Sequence, residues 1–178
     1  MPNNSVMRTY RSQLRATVFV LFFVSLLIFP PNLASSQSDP FLNQFSGSWR
    51  GDGKSLGMTA RLHLNWEWVL GNKFLRLNLK STMQTPNGEA RVFEGHAYYQ
   101  SLGKSKYEGK WFDSRGVSFP IKAEAVGDTL IGLWGTPETE EGKSTYRIIE
   151  PGKMEVLDSV KQKDGSWKEF GRWVVVRE

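Results

Sequence analysis

From Met58 to Leu70 the side chains alternate. Leu62, Leu64, Trp66 and Trp68 share one parity, and Arg61, His63, Asn65 and Glu67 share the other. The pattern returns between Lys73 and Gln84, with Leu75, Leu77 and Leu79 set against Arg76, Asn78 and Lys80. A helix repeats its faces about every 3.6 residues, so this spacing would scatter leucines around a helix; a strand gathers them on one face. One apolar and one polar face define a half-buried antiparallel sheet.

The rest of the chain to Glu178 is punctuated in the same way. Turn residues recur at Gly71-Asn72, Pro86-Asn87-Gly88, Gly103-Lys104, Ser114-Arg115-Gly116, Gly127-Asp128, Pro151-Gly152 and Asp164-Gly165. Each supplies a positive φ or a preset turn geometry. Strands are predicted at 48–53, 58–70, 73–84, 91–100, 106–113, 117–125, 129–134, 144–150, 154–161 and 167–177. The expected fold is all-β: one antiparallel up-and-down barrel of about ten strands, because a meander this long removes its exposed edges by closing. A two-sheet sandwich is the alternative; it usually needs longer crossing connections. Gly95, Gly109, Gly132 and Gly171 lie inside strands, where glycine marks a bend or a close backbone approach.

The first 37 residues read differently. Arg8, Arg11 and Arg15 precede a charge-free apolar run of 13 residues, Thr17 to Phe29, followed by Ala34-Ser35-Ser36. A basic segment, a short apolar segment and small residues in that order form a secretory signal. As a helix the run would reach about 20 Å, short of a ~30 Å hydrocarbon core. Residues 1–37 are therefore read as a signal peptide with a short linker, and 38–178 as the barrel domain. Export to the periplasm or the medium follows, with an uncleaved membrane anchor as the alternative. The chain has 23 basic and 18 acidic residues. Without its three leading arginines it keeps 20 basic residues and a net charge of +2. The high isoelectric point is thus mostly a targeting feature and gives no case for nucleic-acid binding. There is no cysteine, which excludes disulfides, thiolate metal sites and cysteine nucleophiles. His63 and His96 are the only histidines, so one chain cannot offer three to a metal.

Specific segments carry a resemblance. Gly47-Ser48-Trp49 follows the apolar lead Phe41 to Phe45 and resembles the G-x-W opening of calycin barrels, which include lipocalins and fatty-acid-binding proteins. In those folds the tryptophan plugs the barrel base under a late-strand basic residue. The resemblance implies that role for Trp49, with Arg172 as first partner and Arg177 as second. A longer series runs Gly47 to Gly53, Leu70 to Leu75, Phe93-Glu94-Gly95-His96 and Lys106 to Ser114. It is similar to an exported bacterial barrel family known as domain of unknown function 1579, and it spans most of Phe45 to Glu178. Trp49-Arg50-Gly51 also resembles nitrobindin, a haem-binding barrel. The resemblance implies an internal cavity but no activity. Nitrobindin-like barrels hold haem through a histidine near the C-terminus. This chain has none after His96, so no cofactor is assigned and haem is disfavoured.

Candidate ligand-binding residues are those that alternation sends inward: Leu64, Trp66, Trp68, Leu77, Trp111 and Trp134. An aromatic wall of this kind either packs a core or holds an apolar or flat ligand. His96 and Asp113 are the possible polar contacts. Glu94, His96 and Tyr98 share a parity opposite the more apolar Phe93, Gly95, Ala97 and Tyr99, which favours an outward direction for the first set. Asp113 has the inward parity of Trp111, yet also begins a turn chemically. An inward Asp158, between Val156 and Val160, would need a donor such as Arg172 or Arg147. Gly-Lys-Ser occurs at 53–55, 103–105 and 142–144 without the upstream glycine or following helix of a phosphate loop, and all three are read as turns. No nucleophile elbow or metal-ligand spacing is present. The function expected is non-enzymatic: a carrier or sensor of a small apolar or amphipathic molecule. The alternatives are an enzyme using His96 as acid or base with Glu94 or Asp113, and a solid barrel that acts through its surface.

Overall fold

The computed structural model describes residues 38–178. The signal-peptide reading of 1–37 lies outside them. Ten strands follow a short helix α1 (Pro40–Asn43): β1 (Gly47–Ser55), β2 (Met58–Val69), β3 (Phe74–Gln84), β4 (Ala90–Gly103), β5 (Lys106–Asp113), β6 (Ser118–Val126), β7 (Thr129–Gly135), β8 (Glu141–Glu150), β9 (Lys153–Lys161) and β10 (Trp167–Arg177). Each pairs antiparallel with its sequence neighbour, and β1 pairs with β10 from Trp49↔Arg177 to Ser55↔Gly171. The barrel is closed, so no strand keeps a free edge.

Alternation does in the structure what it promises in the sequence. Leu62, Leu64, Trp66, Leu75 and Leu77 are buried inside, and Arg61 and Lys80 are exposed. The boundaries differ in one instructive place. Gly142-Lys143-Ser144 belongs to β8 and Gly53-Lys54-Ser55 ends β1, so of the three repeats only 103–105 makes a turn.

The end of the barrel carrying α1 is closed. Asp39 caps the helix, its Oδ1 accepting from the backbone N–H groups of Phe41 at 3.0 Å and Leu42 at 3.1 Å. Pro40 supplies a preset φ in the first turn. Leu42 of the helix and Phe45 in the turn after it are both fully buried in the core. Trp49 is also fully buried and donates its indole N–H to the Phe45 carbonyl at 2.7 Å. Its basic partner is Arg177, whose guanidinium lies 4.2 Å from the indole centroid and also donates to the carbonyls of Ser46 and Gln44. Arg172, the first expectation, faces outward and pairs with Glu155 and Glu169. The register explains the correction: Arg177 sits directly opposite Trp49, whereas Arg172 is opposite Lys54.

Candidate functional site: the open end of the barrel

Above the plug, Trp66 packs between rings. Its centroid is 5.7 Å from Phe45, 5.7 Å from Tyr99 and 5.1 Å from Tyr146. All four rings are buried inside the barrel. Beyond them, toward the end opposite α1, lies a cavity of about 550 Å³. Its floor and lower wall are Leu62, Leu79, Ser81, Tyr146 and Asp158. Its upper wall is Phe93, Trp111, Trp134, Phe170 and Trp173. Leu56, Arg91, Val92, Arg115 and Glu140 stand around the mouth.

Three indoles line this space without filling it. Trp111 covers Gly95 on β4, Trp134 covers Gly142 on β8, and Trp173 covers Gly171 on its own strand. At each glycine an added Cβ would fall within the overlying ring. An indole can lie flat on the wall only where its seat has no side chain. Phe93 stacks on Trp111 at 6.4 Å and extends the wall, while Phe119 stacks on Trp134 at 5.7 Å. A register irregularity between Glu169 and Gly171 lets Phe170 join the lining although its parity is opposite to Gly171 and Trp173.

The polar groups form two clusters. At the mouth, Asp113 serves both readings given above. Its Oδ1 accepts from the Arg115 backbone N–H at 2.9 Å, as a turn residue does, and its Oδ2 accepts from the Trp111 indole at 2.8 Å. Arg115 pairs with this carboxylate and reaches Glu140 at 3.0 Å. Burial alone would raise the Asp113 pKa, but the hydrogen bonds from Arg115 and Trp111 outweigh it and hold the group below its ordinary value. The guanidinium is also 6.0 Å from the rings of Phe93 and Phe119, which stack on Trp111 and Trp134.

The second cluster is deep. The Trp134 indole donates to Ser144 Oγ at 3.2 Å, and Ser144 donates to Asp158 Oδ1 at 2.6 Å. Asp158 is 9% exposed and takes part in no salt bridge among the described residues. Neither arginine expected to answer it does so. Arg147 and Arg172 are both outside, on Glu155. Desolvation pushes Asp158 up to about 6, with the Ser144 bond acting the other way. Burial also raises Tyr99 and Tyr146, so both phenols stay protonated at neutral pH.

Of the residues singled out from sequence, Trp111, Trp134 and Asp113 meet at this cavity. Leu64, Trp66 and Leu77 are interior but lie in the packed core rather than at the cavity wall. Trp68 sits beside the plug and donates to Asn43 at 3.1 Å. His96 is exposed on the outer face, with its ring nitrogen 2.6 Å from Asn78. Parity separates inside from outside but gives no height along the barrel axis, and height decides which interior residues reach the cavity. Sequence reasoning misses Ser144, Asp158, Phe170 and Trp173 as site residues. The usable signal was the inward carboxylate at Asp158 with Ser144 on the neighbouring strand. The cavity wall presents no histidine, so the histidine-ligated haem of the nitrobindin resemblance does not fit it. The described residues hold no group of three His, Asp or Glu side chains placed for a metal.

Fold and site together define a ten-strand closed up-and-down antiparallel barrel, plugged at one end and open to a small cavity at the other. The chain matches no family model. It also matches no curated protein. Among solved structures it is similar to Rv2717c from M. tuberculosis, with a TM-score of 0.61, 13% identity, and coverage of 80% of this chain and 99% of that one. It is also similar to the S-type phycobiliprotein lyase CPES from Guillardia theta, with a TM-score of 0.56, 11% identity, and coverage of 84% and 98%. At these identities the likeness is one of fold.

Proposed function

We propose that this protein is an exported carrier or sensor that binds one small aromatic or amphipathic molecule in the cavity at its open end. The observation that carries the reading is the seating of Trp111, Trp134 and Trp173 on glycines, which keeps the cavity open between aromatic walls. A barrel whose purpose was only to pack would gain by filling that space, since further apolar surface would be buried and more packing contacts made. A volume of about 550 Å³ suits a small molecule, and burying apolar ligand surface supplies the driving force. Export rests on the Arg8–Ser36 segment, and kinship with the domain of unknown function 1579 rests on the ordered motifs described above. The acid–base alternative loses its proposed pair: His96 and Glu94 are outside the barrel and Asp113 is at the cavity mouth, engaged by Arg115 and Trp111.

Titration with 4-biphenylmethanol, followed by tryptophan fluorescence, tests the cavity. One-site saturation is expected, together with loss of binding in Ser81→Phe, which fills the cavity from β3. Failure to saturate, or saturation unchanged in a folded Ser81→Phe variant, would overturn the reading.

A further inference from the structure

Resting on this cavity reading, we propose that the ligand is an amine, whose protonated nitrogen pairs with Asp158 while its apolar body lies between Trp111 and Trp134. Asp158 is more than nine-tenths buried, faces the cavity, and has no cationic partner among the described residues. A carboxylate offers about four acceptor positions. Here the protein supplies one side-chain donor, the Ser144 hydroxyl, and that hydroxyl is oriented by the Trp134 indole, which donates to its oxygen.

A buried carboxylate left in this condition is costly unless a cation or further donors complete it. The protein keeps its own cations away. Arg147 and Arg172 are held outside by Glu155, Arg115 is held at the mouth by Asp113 and Glu140, and Arg91 is exposed at the mouth and makes no ion pair with Asp158. An entering ammonium would supply the missing charge and up to three donors. The flat aromatic faces along its path attract a cation through their π-electrons, in addition to the apolar contact. The same arrangement disfavours a fatty-acid head group at the floor, because its carboxylate would meet another.

Three probes that share the biphenyl body separate these terms: 4-biphenylmethylamine, 4-biphenylmethanol and biphenyl-4-carboxylate, each titrated into wild-type protein and Asp158→Asn at about pH 7.5. The amine is expected to bind about tenfold to a hundredfold more tightly than the alcohol in wild type, and the two to become equal in Asp158→Asn. Equal binding of all three probes to wild type overturns the amine assignment and leaves the cavity reading intact. So does an amine preference that survives in a folded Asp158→Asn variant. Preference for the carboxylate, lost in Arg91→Ala, also overturns it and moves recognition to the mouth. Binding of none of the probes overturns the cavity reading itself. If Asp158→Asn does not fold, the wild-type ranking of amine against alcohol decides alone.

Discussion

Asp158 sets the chemistry of this barrel at the scale of a single residue. Its charged form is penalised by burial and supported by one hydroxyl, so its pKa stands at about 6 against an ordinary 3.8. The folded protein therefore holds this proton to a higher pH than the unfolded chain does. The stability contributed by the group is full below about pH 4 and is lost as pH rises through about 6, a change on the order of 3 kcal/mol. The groups facing it are Ser144 and Tyr146 from β8 and Tyr99 from β4, none of them cationic. Asp158→Asn should accordingly raise the thermal midpoint at about pH 7 and lose that advantage near pH 4, as calorimetry across the range will show. A bound ammonium needs the ionised form, so amine affinity should rise between about pH 5 and 7 in wild type alone. Ser81 supplies a second test. Its hydroxyl is buried without a hydrogen-bond partner, and Ser81→Ala should stabilise the protein by about 1 kcal/mol in a denaturant titration. Alternation signalled an inward Asp158, but the identity of its donor was not legible. The expected arginines lie on the neighbouring strands β8 and β10 and point to the outer face, where both pair with Glu155.

At the scale of elements, glycines and tryptophans on facing strands act as pairs. Gly142 lies opposite Trp134 in the β7–β8 register, and Gly95 is diagonal to Trp111 across β4 and β5. A methyl group at either glycine would lift an indole off the wall toward the cavity. Gly142→Ala should cost about 1–3 kcal/mol, and it should also weaken 4-biphenylmethanol binding through the displaced ring. A stability loss with unchanged binding would show that the Trp134 ring does not border the bound molecule. Gly95 was readable in the sequence as a site of close approach because it lies inside an alternating run. Gly142 was not, because a Gly-Lys-Ser triplet looks like a turn when nothing shows that the strand begins before it. At the closed end, Asp39 caps α1, and Asp39→Ala should cost about 1 kcal/mol without affecting the cavity.

For the whole molecule, one end of the barrel is committed to stability and the other to an opening. Leu42, Phe45, Trp49 and Trp66 form a continuous plug, while the opposite mouth is spanned by the Asp113–Arg115–Glu140 group. Hydrogen exchange should be slowest around Leu62, Leu77 and Val156 and fastest in the mouth connections 114–117 and 136–140. Ligand at about a hundred times its dissociation constant should add about 2.7 kcal/mol to the apparent stability. That gain should accompany slower exchange at the mouth if the molecule enters there.

The sequence by itself determined that this chain makes a barrel. Alternation and turn residues are local properties, and with ten strands linked by short connections the surest way to leave no edge was to close. It also determined the inward side of the regularly alternating strands, and it favoured an outward direction for His96 while leaving that residue a candidate contact. Only the tertiary structure decided that the barrel has room inside and where that room lies. Height along the axis depends on strand tilt and register, so Trp66 became core while Trp111 and Trp134 became wall. The choice of Arg177 over Arg172 came from the closing β1–β10 register, which brings Arg177 opposite Trp49 across more than a hundred intervening residues. The unpaired state of Asp158 was decided in the same way, because a carboxylate's partners are whatever the closed sheet sets on its face.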